Sequence, residues 1–487
     1  MKSLKPKHNF SKPQLLVFVL VFGLIGILIW KSFAAPNPSL PGDLNSDNTV
    51  NVTDLSILLS NYGTTTSTSL NAADINGDGV VNVLDMSILL SNYGKSVTPG
   101  TTLGSKLPAR MPNSSGSSHI YVSPAGSDSN PGTLSAPVQG LAKAISLAVG
   151  GSFVEVRGNA GPFAAPYQII DSHCSFSATN PVTIRTYAGD PNAVFASTDS
   201  TRNNVYFGNC SGIRVQNLTF ASPYGIAGIK IDSCVNFELS DNIIGPNGAG
   251  ASHGSHGILV SSAASGVGTS TITSNLQILN NTVFNWYGDA SLPNNNHGMY
   301  LSEGLKILVA NNIIYNAVGG AGYGIQLGGE TNDSWIVNNT IDGVTSNKIT
   351  SFNGGGIVVW GSLSEQTQTP TNNDIIKNNL LTNEQVYAVG GVGSTPGPLT
   401  LVENNLAFNN GSADYQPFYG TNQLFTCGGT CPGLNLPNAN PMYFNRIGHD
   451  YHLQSGSPAI GKADPAYTPA YDHDGNARSS APNLGAY

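Results

Sequence analysis

The stretch Asn312-Ile-Ile-Tyr315, an asparagine followed by apolar residues, decides the fold because the same pattern returns along the chain. Its copies are Asn217-Leu-Thr-Phe, Asn242-Ile-Ile-Gly, Asn281-Thr-Val-Phe, Asn339-Thr-Ile-Asp, Asn379-Leu-Leu-Thr and Asn405-Leu-Ala-Phe. Consecutive copies are 25, 39, 31, 27, 40 and 26 residues apart. Such periods are typical of solenoids, and the longer intervals indicate insertions into a rung. Asparagines at the same turn of successive rungs are expected to hydrogen-bond along the axis.

A second repeat begins with glycine and predicts another set of strands. Its copies are Gly228-Ile-Lys-Ile, Gly257-Ile-Leu-Val, Gly298-Met-Tyr-Leu, Gly324-Ile-Gln-Leu and Gly356-Ile-Val-Val. The chain contains 57 glycines and 53 asparagines among 487 residues, which favours tight turns and left-handed backbone positions. Residues 118–487 are therefore predicted to form a mostly β solenoid.

The two ends of this region resemble those of the right-handed parallel β-helix proteins of the pectate-lyase-like group. Residues 121–137 and 142–148 resemble the group's first strand and its N-terminal cap helix, and residues 450–487 resemble its closing segment. The resemblance implies a right-handed parallel β-helix that binds sugars along one sheet, in a groove walled by the insertions. It does not imply one activity, because this fold carries lyases, hydrolases, epimerases and inert adhesins.

Residues 36–95 contain two acidic loops 31 residues apart, each followed by nearly the same ten residues. Oxygen ligands fall at loop positions 1, 3, 5, 9 and 12, with a backbone carbonyl at position 7, as in EF-hands. The predicted calcium ligands are Asp43, Asn45, Asp47, Thr49, Asn51 and Asp54 in the first loop, and Asp74, Asn76, Asp78, Val80, Asn82 and Asp85 in the second. All six acids between residues 36 and 94 occupy these positions, and no base is present. Two Ca²⁺ sites are predicted, each followed by a short helix that packs on its twin.

These tandem loops, each with one short helix, resemble a type I dockerin. The resemblance implies an all-α, EF-hand-like module that folds on calcium and binds a cohesin partner. In that family, loop positions 10 and 11 recognise the partner and are often Ser-Thr; here they are Val52-Thr53 and Val83-Leu84. Residues 96–117 are rich in Ser, Thr, Pro and Gly and predict a linker to the solenoid.

Residues 1–35 predict an apolar N-terminal helix that acts as a signal peptide or a membrane anchor. Lysines precede sixteen apolar residues, 15–30, and Ser32 and Ala34 fit a cleavage site. Sixteen helical residues span about 24 Å, short of the roughly 30 Å hydrocarbon core. Residues 15–30 contact the membrane if they are not cleaved. In both cases the rest of the chain is exported, and an extracellular or cell-surface location is expected.

The charge balance bears on the partners of the exported part. Formal net charge is −8, and five of the twenty bases lie in the first 31 residues, which contain no acid. An acidic body with scattered bases argues against nucleic acid as a partner.

Five cysteines in an exported chain suggest disulfide bonds. Cys427 and Cys431 are spaced to close a small loop. Cys210 and Cys234 precede equivalent strands, so they are expected to stack, as buried thiols or, less favourably, as a disulfide. Cys174 is then left over, and the odd count requires at least one free thiol.

Five residues are candidate catalytic groups. Lys230 alternates outward from a strand, and His256 and His297 precede the glycines of successive repeats, with Tyr300 in the same register. A polysaccharide lyase needs a base beside the uronate and a cation to neutralise its carboxylate, so Lys230 or a His297/Tyr300 pair is a candidate base. A hydrolase needs two carboxylates about 5 to 9.5 Å apart. Glu330 is the candidate there.

The second hydrolase carboxylate would be Asp289 or Glu303. Each candidate also has a structural interpretation: hydrogen-bonded turn histidines, a solvated strand lysine and turn acids. The leading hypothesis is an exported carbohydrate-active enzyme on an extracellular polysaccharide, with lyase favoured over glycoside hydrolase by fold analogy. The alternatives are a non-catalytic surface adhesin or carbohydrate-binding protein, and a structural β-helix whose calcium module is the specific binder.

Overall fold

A computed structural model describes most of the chain as two compact units, Met1–Thr101 and Thr102–Tyr487. The described residues are 44, 50–64, 73, 75, 80–94, 106–164, 168–171, 174–197, 203–221, 226–246, 256–262, 272–287, 296–318, 322–345, 354–360, 371–392, 400–411, 413–416, 435–436 and 439–487. The predicted N-terminal helix lies outside them. Within these ranges, no helix is long and apolar enough to cross a membrane.

The smaller unit contains two helices, α1 (Val52–Asn61) and α2 (Val83–Asn92). Each begins at an asparagine whose side chain accepts the backbone N–H two residues later, 2.7 Å away in both cases. This N-capping satisfies donors that the first helical turn leaves open. Leu58 and Leu89, one from each helix, are fully buried in a shared core. The twin helices predicted from the duplicated sequence are therefore confirmed.

The larger unit is built from three parallel sheets. Sheet A contains β1 (His119–Val122), β2 (Phe153–Val156), β4 (Val182–Thr186), β7 (Ser211–Gln216), β10 (Val235–Ser240), β13 (Thr273–Leu279), β16 (Gly304–Leu305), β17 (Leu308–Ala310), β20 (Trp335–Val337), β23 (Ile375–Lys377) and β26 (Leu401–Glu403). Sheet B contains β5 (Ala193–Phe195), β8 (Leu218–Phe220), β11 (Ile243–Ile244), β14 (Thr282–Tyr287), β18 (Ile313–Val318), β21 (Thr340–Asp342), β24 (Leu380–Thr382) and β27 (Leu406–Phe408).

Sheet C contains β3 (Gln168–Asp171), β6 (Val205–Gly208), β9 (Ala227–Asp232), β12 (His256–Ser261), β15 (Asn296–Leu301), β19 (Gly322–Leu327), β22 (Gly355–Trp360), β25 (Tyr387–Val392) and β28 (Ala413–Gln416). Helix α3 (Leu141–Leu147) follows β1, close to the predicted cap helix. Near the C-terminus, β29 (Tyr443–Asn445) and β30 (Asp450–Leu453) form an antiparallel hairpin.

The strands wind in the order A, B, C, and each pairs in parallel with its equivalent one rung along. In sheet C, for example, His256 is opposite His297, which is opposite Tyr323. Apolar side chains from all three sheets fill a continuous buried core. The predicted parallel β-helix is confirmed.

The asparagines of the repeat form a ladder inside the turn between sheets A and B. Each donates its backbone N–H to the side-chain oxygen of the next, at 2.9–3.1 Å. The ladder contains Asn242, Asn281, Asn312, Asn339, Asn379, Asn405 and Asn435. Asn217 is not a member; it has a positive φ of 55°. Buried backbone groups that the turn leaves open are thus satisfied by side-chain amides.

Residues 106–118, which include the second half of the predicted linker and are called the strap below, lie against sheet A. Arg110 forms an ion pair with the buried Glu238 (Nη2 to Oε1, 2.8 Å). Further along, the Ser114 hydroxyl hydrogen-bonds that of Thr183 (2.6 Å). The segment crosses successive rungs of the sheet and covers part of its outer face.

The cysteines pair differently from the expected pattern. Cys174, expected to be left over, forms a disulfide with Cys210. Cys234 remains a buried free thiol and accepts the backbone N–H of Cys210 at 3.4 Å. The expected stacking of Cys210 and Cys234 is therefore present, and the disulfide extends it to the preceding rung. Cys427 and Cys431 lie outside the described residues.

Candidate functional site

The outer face of sheet C presents a row of side chains, one from each rung. Strand pairing places Tyr206, Lys230, Leu259, Tyr300 and Gln326 opposite one another across β6, β9, β12, β15 and β19. Strands are about 4.8 Å apart, so Lys230 and Tyr300 lie about 10 Å apart along the axis. The alternate residues of these strands, such as Ile229, point into the core.

Lys230 is held by a small polar cluster at one end of this row. Its Nζ lies 3.1 Å from Oδ2 of Asp232, and its side chain is 23% exposed. The Tyr206 ring lies under the ammonium, 5.7 Å from ring centroid to Nζ. Ser233 donates its hydroxyl to Oδ1 of Asp232 at 3.0 Å. Burial and the Asp232 carboxylate raise the pKa of Tyr206 far above its ordinary value, so the phenol stays neutral.

His256 and His297 stack on neighbouring rungs, with ring centroids 5.2 Å apart. Tyr300 contacts both rings at 5.6 and 5.5 Å, and His297 stacks on Tyr323 at 5.1 Å. Both imidazoles are buried, and burial lowers the pKa of His256 to about 4. The four rings form a packed aromatic cluster, which suits a structural role better than proton transfer to a bound sugar.

Glu303 and Glu330 follow β15 and β19 in the left-handed backbone region, with φ of 54° and 63°. Among described residues, 22 positions other than glycine have positive φ, and 14 of them are asparagine. Asparagine tolerates this conformation because its short amide hydrogen-bonds locally, whereas glutamate has no such advantage. Unfavourable backbone at two neighbouring rungs points to a functional use of the carboxylates.

The electrostatics of Glu303 support that use. Burial raises the pKa of Glu303, and the negative charges of Glu330 and Asp232 raise it further. The backbone N–H of Glu303 donates to the carbonyl of Gly329, the residue before Glu330, at 3.1 Å. The two glutamates therefore lie on adjacent rungs, one strand spacing apart. Glu303 favours its protonated form relative to an ordinary glutamate.

Within the described ranges, no three His, Cys, Asp or Glu side chains converge closely enough to hold a metal ion. Lys230 is the single Lys or Arg in the described strands of sheet C, and its ammonium is paired with Asp232. The face is anionic and would repel a uronate chain unless a cation intervened.

The small unit buries two of its predicted calcium ligands. Asp54 and Asp85, at loop position 12, are fully buried. Asp54 accepts the backbone N–H of Leu44 at 2.7 Å, and Asp85 accepts that of Ile75 at 2.8 Å. Buried carboxylates within residues 36–94, which contain no lysine or arginine, fit a site that a hard cation completes.

Three other predicted calcium ligands lie among the described residues. Asn51 and Asn82 are the capping residues of the two helices, and the Val80 carbonyl accepts the Asn82 amide at 3.0 Å. The remaining predicted ligands lie outside the described residues: Asp43, Asn45, Asp47, Thr49, Asp74, Asn76 and Asp78.

Sequence reasoning missed two members of the Lys230 cluster, Asp232 and Tyr206. Asp232 could have been found, because it follows Lys230 by two residues and shares its face of the strand. Tyr206 precedes the first glycine repeat, and no sequence pattern links it to Lys230. Asp289 and the insertions expected to wall the groove lie outside the described residues.

Comparison with known proteins identifies the small module and relates the larger unit to solved folds. Residues 41–92 match the dockerin type I domain, and no curated protein matches the chain significantly. Pectate lyase Pel9A aligns with 77% of this chain and 96% of its own at 14% identity and a TM-score of 0.46. An alginate lyase from Paenibacillus sp. aligns with 57% of this chain and 94% of its own, at 16% identity and a TM-score of 0.37.

A GH136 lacto-N-biosidase from Eubacterium ramulus aligns with 62% of this chain and 67% of its own, at 12% identity and a TM-score of 0.34. At these levels the likeness does not distinguish one activity from another. The chemistry of the chain's own residues must decide between them.

Proposed function

We propose that this protein is an exported carbohydrate-active enzyme that hydrolyses glycosidic bonds of a largely neutral polysaccharide on the outer face of sheet C. The observation that carries the proposal is the pair Glu303 and Glu330. They occupy adjacent rungs in unfavourable backbone, and mutual repulsion helps raise the pKa of Glu303. One carboxyl with a raised pKa and a second carboxyl on the adjacent rung are the arrangement that glycoside hydrolysis requires.

In this proposal Glu303 is the general acid. Because its pKa is raised, the Glu303 carboxyl favours the protonated form. It transfers this proton to the glycosidic oxygen as the bond to the leaving sugar breaks. Glu330 is the nucleophile that attacks the anomeric carbon. Water then hydrolyses the glycosyl-enzyme, with Glu303 as base. Adjacent rungs, about 4.8 Å apart, suit the shorter carboxyl separation of retaining enzymes.

The charge of the face sets the preferred substrate. The negative charges of Glu330 and Asp232 act on Glu303, and the Lys230 ammonium is already paired with Asp232, so hydroxyl-rich neutral sugars suit this face better than uronates. The Lys230 ammonium is partly exposed and can donate to sugar hydroxyls, while the Tyr206 hydroxyl donates to Asp232 at 3.5 Å.

A polysaccharide lyase is the second candidate, and the placement of Lys230 favours it. The side chain is partly exposed on the same face, as a base for the proton beside a uronate carboxylate must be. Asp232 holds the ammonium at 3.1 Å, so this chemistry needs Asp232 to release it and a cation to neutralise the substrate.

The dockerin module would attach the enzyme to a cohesin partner through calcium-ordered helices. Val52, Val83 and Leu84 occupy three of the four recognition positions and are more than half exposed. Exposed apolar side chains there suit a partner whose matching surface is apolar.

Product chemistry tests the proposal. The chain from residue 36 is incubated with a panel of neutral and uronate polysaccharides, with calcium or with chelator. New reducing ends without ultraviolet absorbance of unsaturated sugars are expected, from neutral substrates. Unsaturated ends would instead establish the lyase. Neither signal, together with saturable binding of a glycan, would establish the non-catalytic adhesin or carbohydrate-binding protein.

A further inference from the structure

A cavity of about 510 Å³ lies between the outer face of sheet B and the β29–β30 hairpin, on a different sheet from the proposed catalytic face. Its lining includes Asn383, Phe408, Met442, Tyr443, Arg446 and Gln454. Pockets of this volume with apolar walls and a few fixed polar groups are typical of small-ligand sites.

Arg446 is oriented by a buried carboxylate behind the cavity. Its Nε donates to Oδ1 and Oδ2 of Asp342 at 2.9 and 3.0 Å, and the Asp342 side chain is 5% exposed. Tyr451 and Asn383 also donate to Asp342, at 3.0 and 2.7 Å. The oxygens of Asp342 are shared with these other donors, and the only nitrogen of the Arg446 guanidinium that donates to Asp342 is Nε. Among described residues, the terminal nitrogens of Arg446 donate no hydrogen bond.

The opposite wall is apolar and conformationally fixed. Phe408 ends β27, and Met442 precedes the hairpin with a φ of 54°. A bulky side chain in the left-handed region costs roughly 1–3 kcal/mol. Hydrogen bonds on both sides hold it there: Asn440 accepts the Met442 N–H, and Gln454 donates to its carbonyl, both at 2.9 Å. The strained residue therefore shapes the cavity wall.

We infer that this cavity binds a sugar ring that carries a carboxylate, such as a uronate residue of a polysaccharide. Among the described residues that line the cavity there is one guanidinium and no carboxylate, since Asp342 lies behind Arg446. The terminal nitrogens of arginine form a planar fork that matches a carboxylate with two hydrogen bonds. Phe408 offers an apolar surface to the ring. The site is separate from the proposed hydrolytic face, and its occupancy does not depend on hydrolysis.

Binding measurements test this site on the whole protein. Oligogalacturonate and oligoglucuronate are titrated by calorimetry beside neutral galactose and glucose oligomers of equal length. We expect saturable binding of the acidic oligomers, weakened by salt, and at least about tenfold weaker binding in Arg446→Lys. That variant keeps the positive charge toward Asp342 but loses the fork. Lys143→Gln, in α3, is the charge control and is expected to bind normally.

A second pair of variants keeps the test decisive. If Arg446→Lys does not fold, Phe408→Leu preserves apolar volume and is expected to weaken acidic binding by removing the ring surface. Glu303→Gln is expected to bind the acidic oligomers as wild type does. This result distinguishes the test of the cavity from the test of the proposed hydrolase activity. Equal binding of neutral oligomers, undiminished affinity in the folded Arg446 or Phe408 variant, or no saturable binding would overturn the inference.

Discussion

Two turns on sheet C place glutamate where the left-handed backbone elsewhere in the solenoid is mostly asparagine. Glu303 and Glu330 therefore cost stability at positions where a better residue is available. Sequence alone named both residues as carboxylates of one possible pair. It could not show that they lie on adjacent rungs, because the rung length varies from 25 to 40 residues. It also favoured a lyase by fold analogy, whereas the function proposed here is a hydrolase because the proposal rests on the pair Glu303 and Glu330.

Replacing Glu303 by asparagine is expected to separate stability from activity. Asn suits the left-handed φ of 54° better, so Glu303→Asn is expected to gain about 1 kcal/mol of unfolding free energy. Loss of the general acid is expected to slow hydrolysis about 10²–10⁴-fold. Denaturant unfolding and reducing-end assays measure the two effects. A stabilised variant with full activity would assign the residue no catalytic role.

The raised pKa of Glu303 gives a signed pH dependence. Burial, with Glu330 and Asp232, raises its pKa above the ordinary 4.5, so the folded state binds the proton more tightly than the unfolded state. The stability that this proton contributes is complete below pH 4.5 and is lost as pH rises through the raised pKa. Unfolding curves of wild type and Glu303→Gln across this window measure it. A constant difference between them would contradict the assignment.

At the scale of elements, the asparagine ladder was predictable and the ordered strap on sheet A was not. The ladder repeats in sequence, so its stacking follows from register. The sequence of residues 106–118 does not repeat, and Arg110 contacts Glu238 across a separation of 128 residues. The same limit applies to Cys174, which precedes no copy of either repeat. Contacts made by a segment that does not repeat cannot be predicted from the periodicity of the sequence and are seen only in the folded structure.

Asn339 tests how much the ladder contributes. Its side chain is fully buried and donates to Val309, Val337 and Asn379 at 3.0–3.1 Å. Asn339→Ala leaves several buried groups unsatisfied and is expected to cost about 3 kcal/mol. Chemical denaturation measures the loss.

The control for the ladder variant is Asn373→Gly. Asn373 is an exposed asparagine with a φ of 57°, and its side chain is outside the ladder. Glycine preserves its backbone, so a loss below about 1 kcal/mol is expected. Equal losses of unfolding free energy in Asn339→Ala and Asn373→Gly would show that the ladder hydrogen bonds do not contribute more stability than an exposed asparagine.

At the scale of the whole molecule, the chain combines a dockerin module with a parallel β-helix, and both were predictable from repeats. Calcium is expected to order the module, because its buried Asp54 and Asp85 have no cationic side chain nearby in sequence. Residues 1–35 and the groove-walling insertions stay sequence-based expectations.

Calcium removal is expected to melt α1 and α2. Titration of the chelated protein is expected to show two calcium sites by calorimetry and a gain of helical circular dichroism. Asp85→Asn is expected to weaken one site, with the exposed Thr64→Ala as control. Unchanged helicity in chelator would contradict coupling between calcium binding and folding of the module.

The central claim is catalysis by Glu303 and Glu330, and turnover of paired variants tests it most directly. Reducing-end release from the best neutral polysaccharide is measured for Glu303→Gln, Glu330→Gln and the control Asp333→Asn, another turn acid with positive φ. The account predicts at least about a hundredfold loss in each glutamate variant, with substrate binding retained and the control unchanged. Wild-type rates in either folded glutamate variant would contradict it.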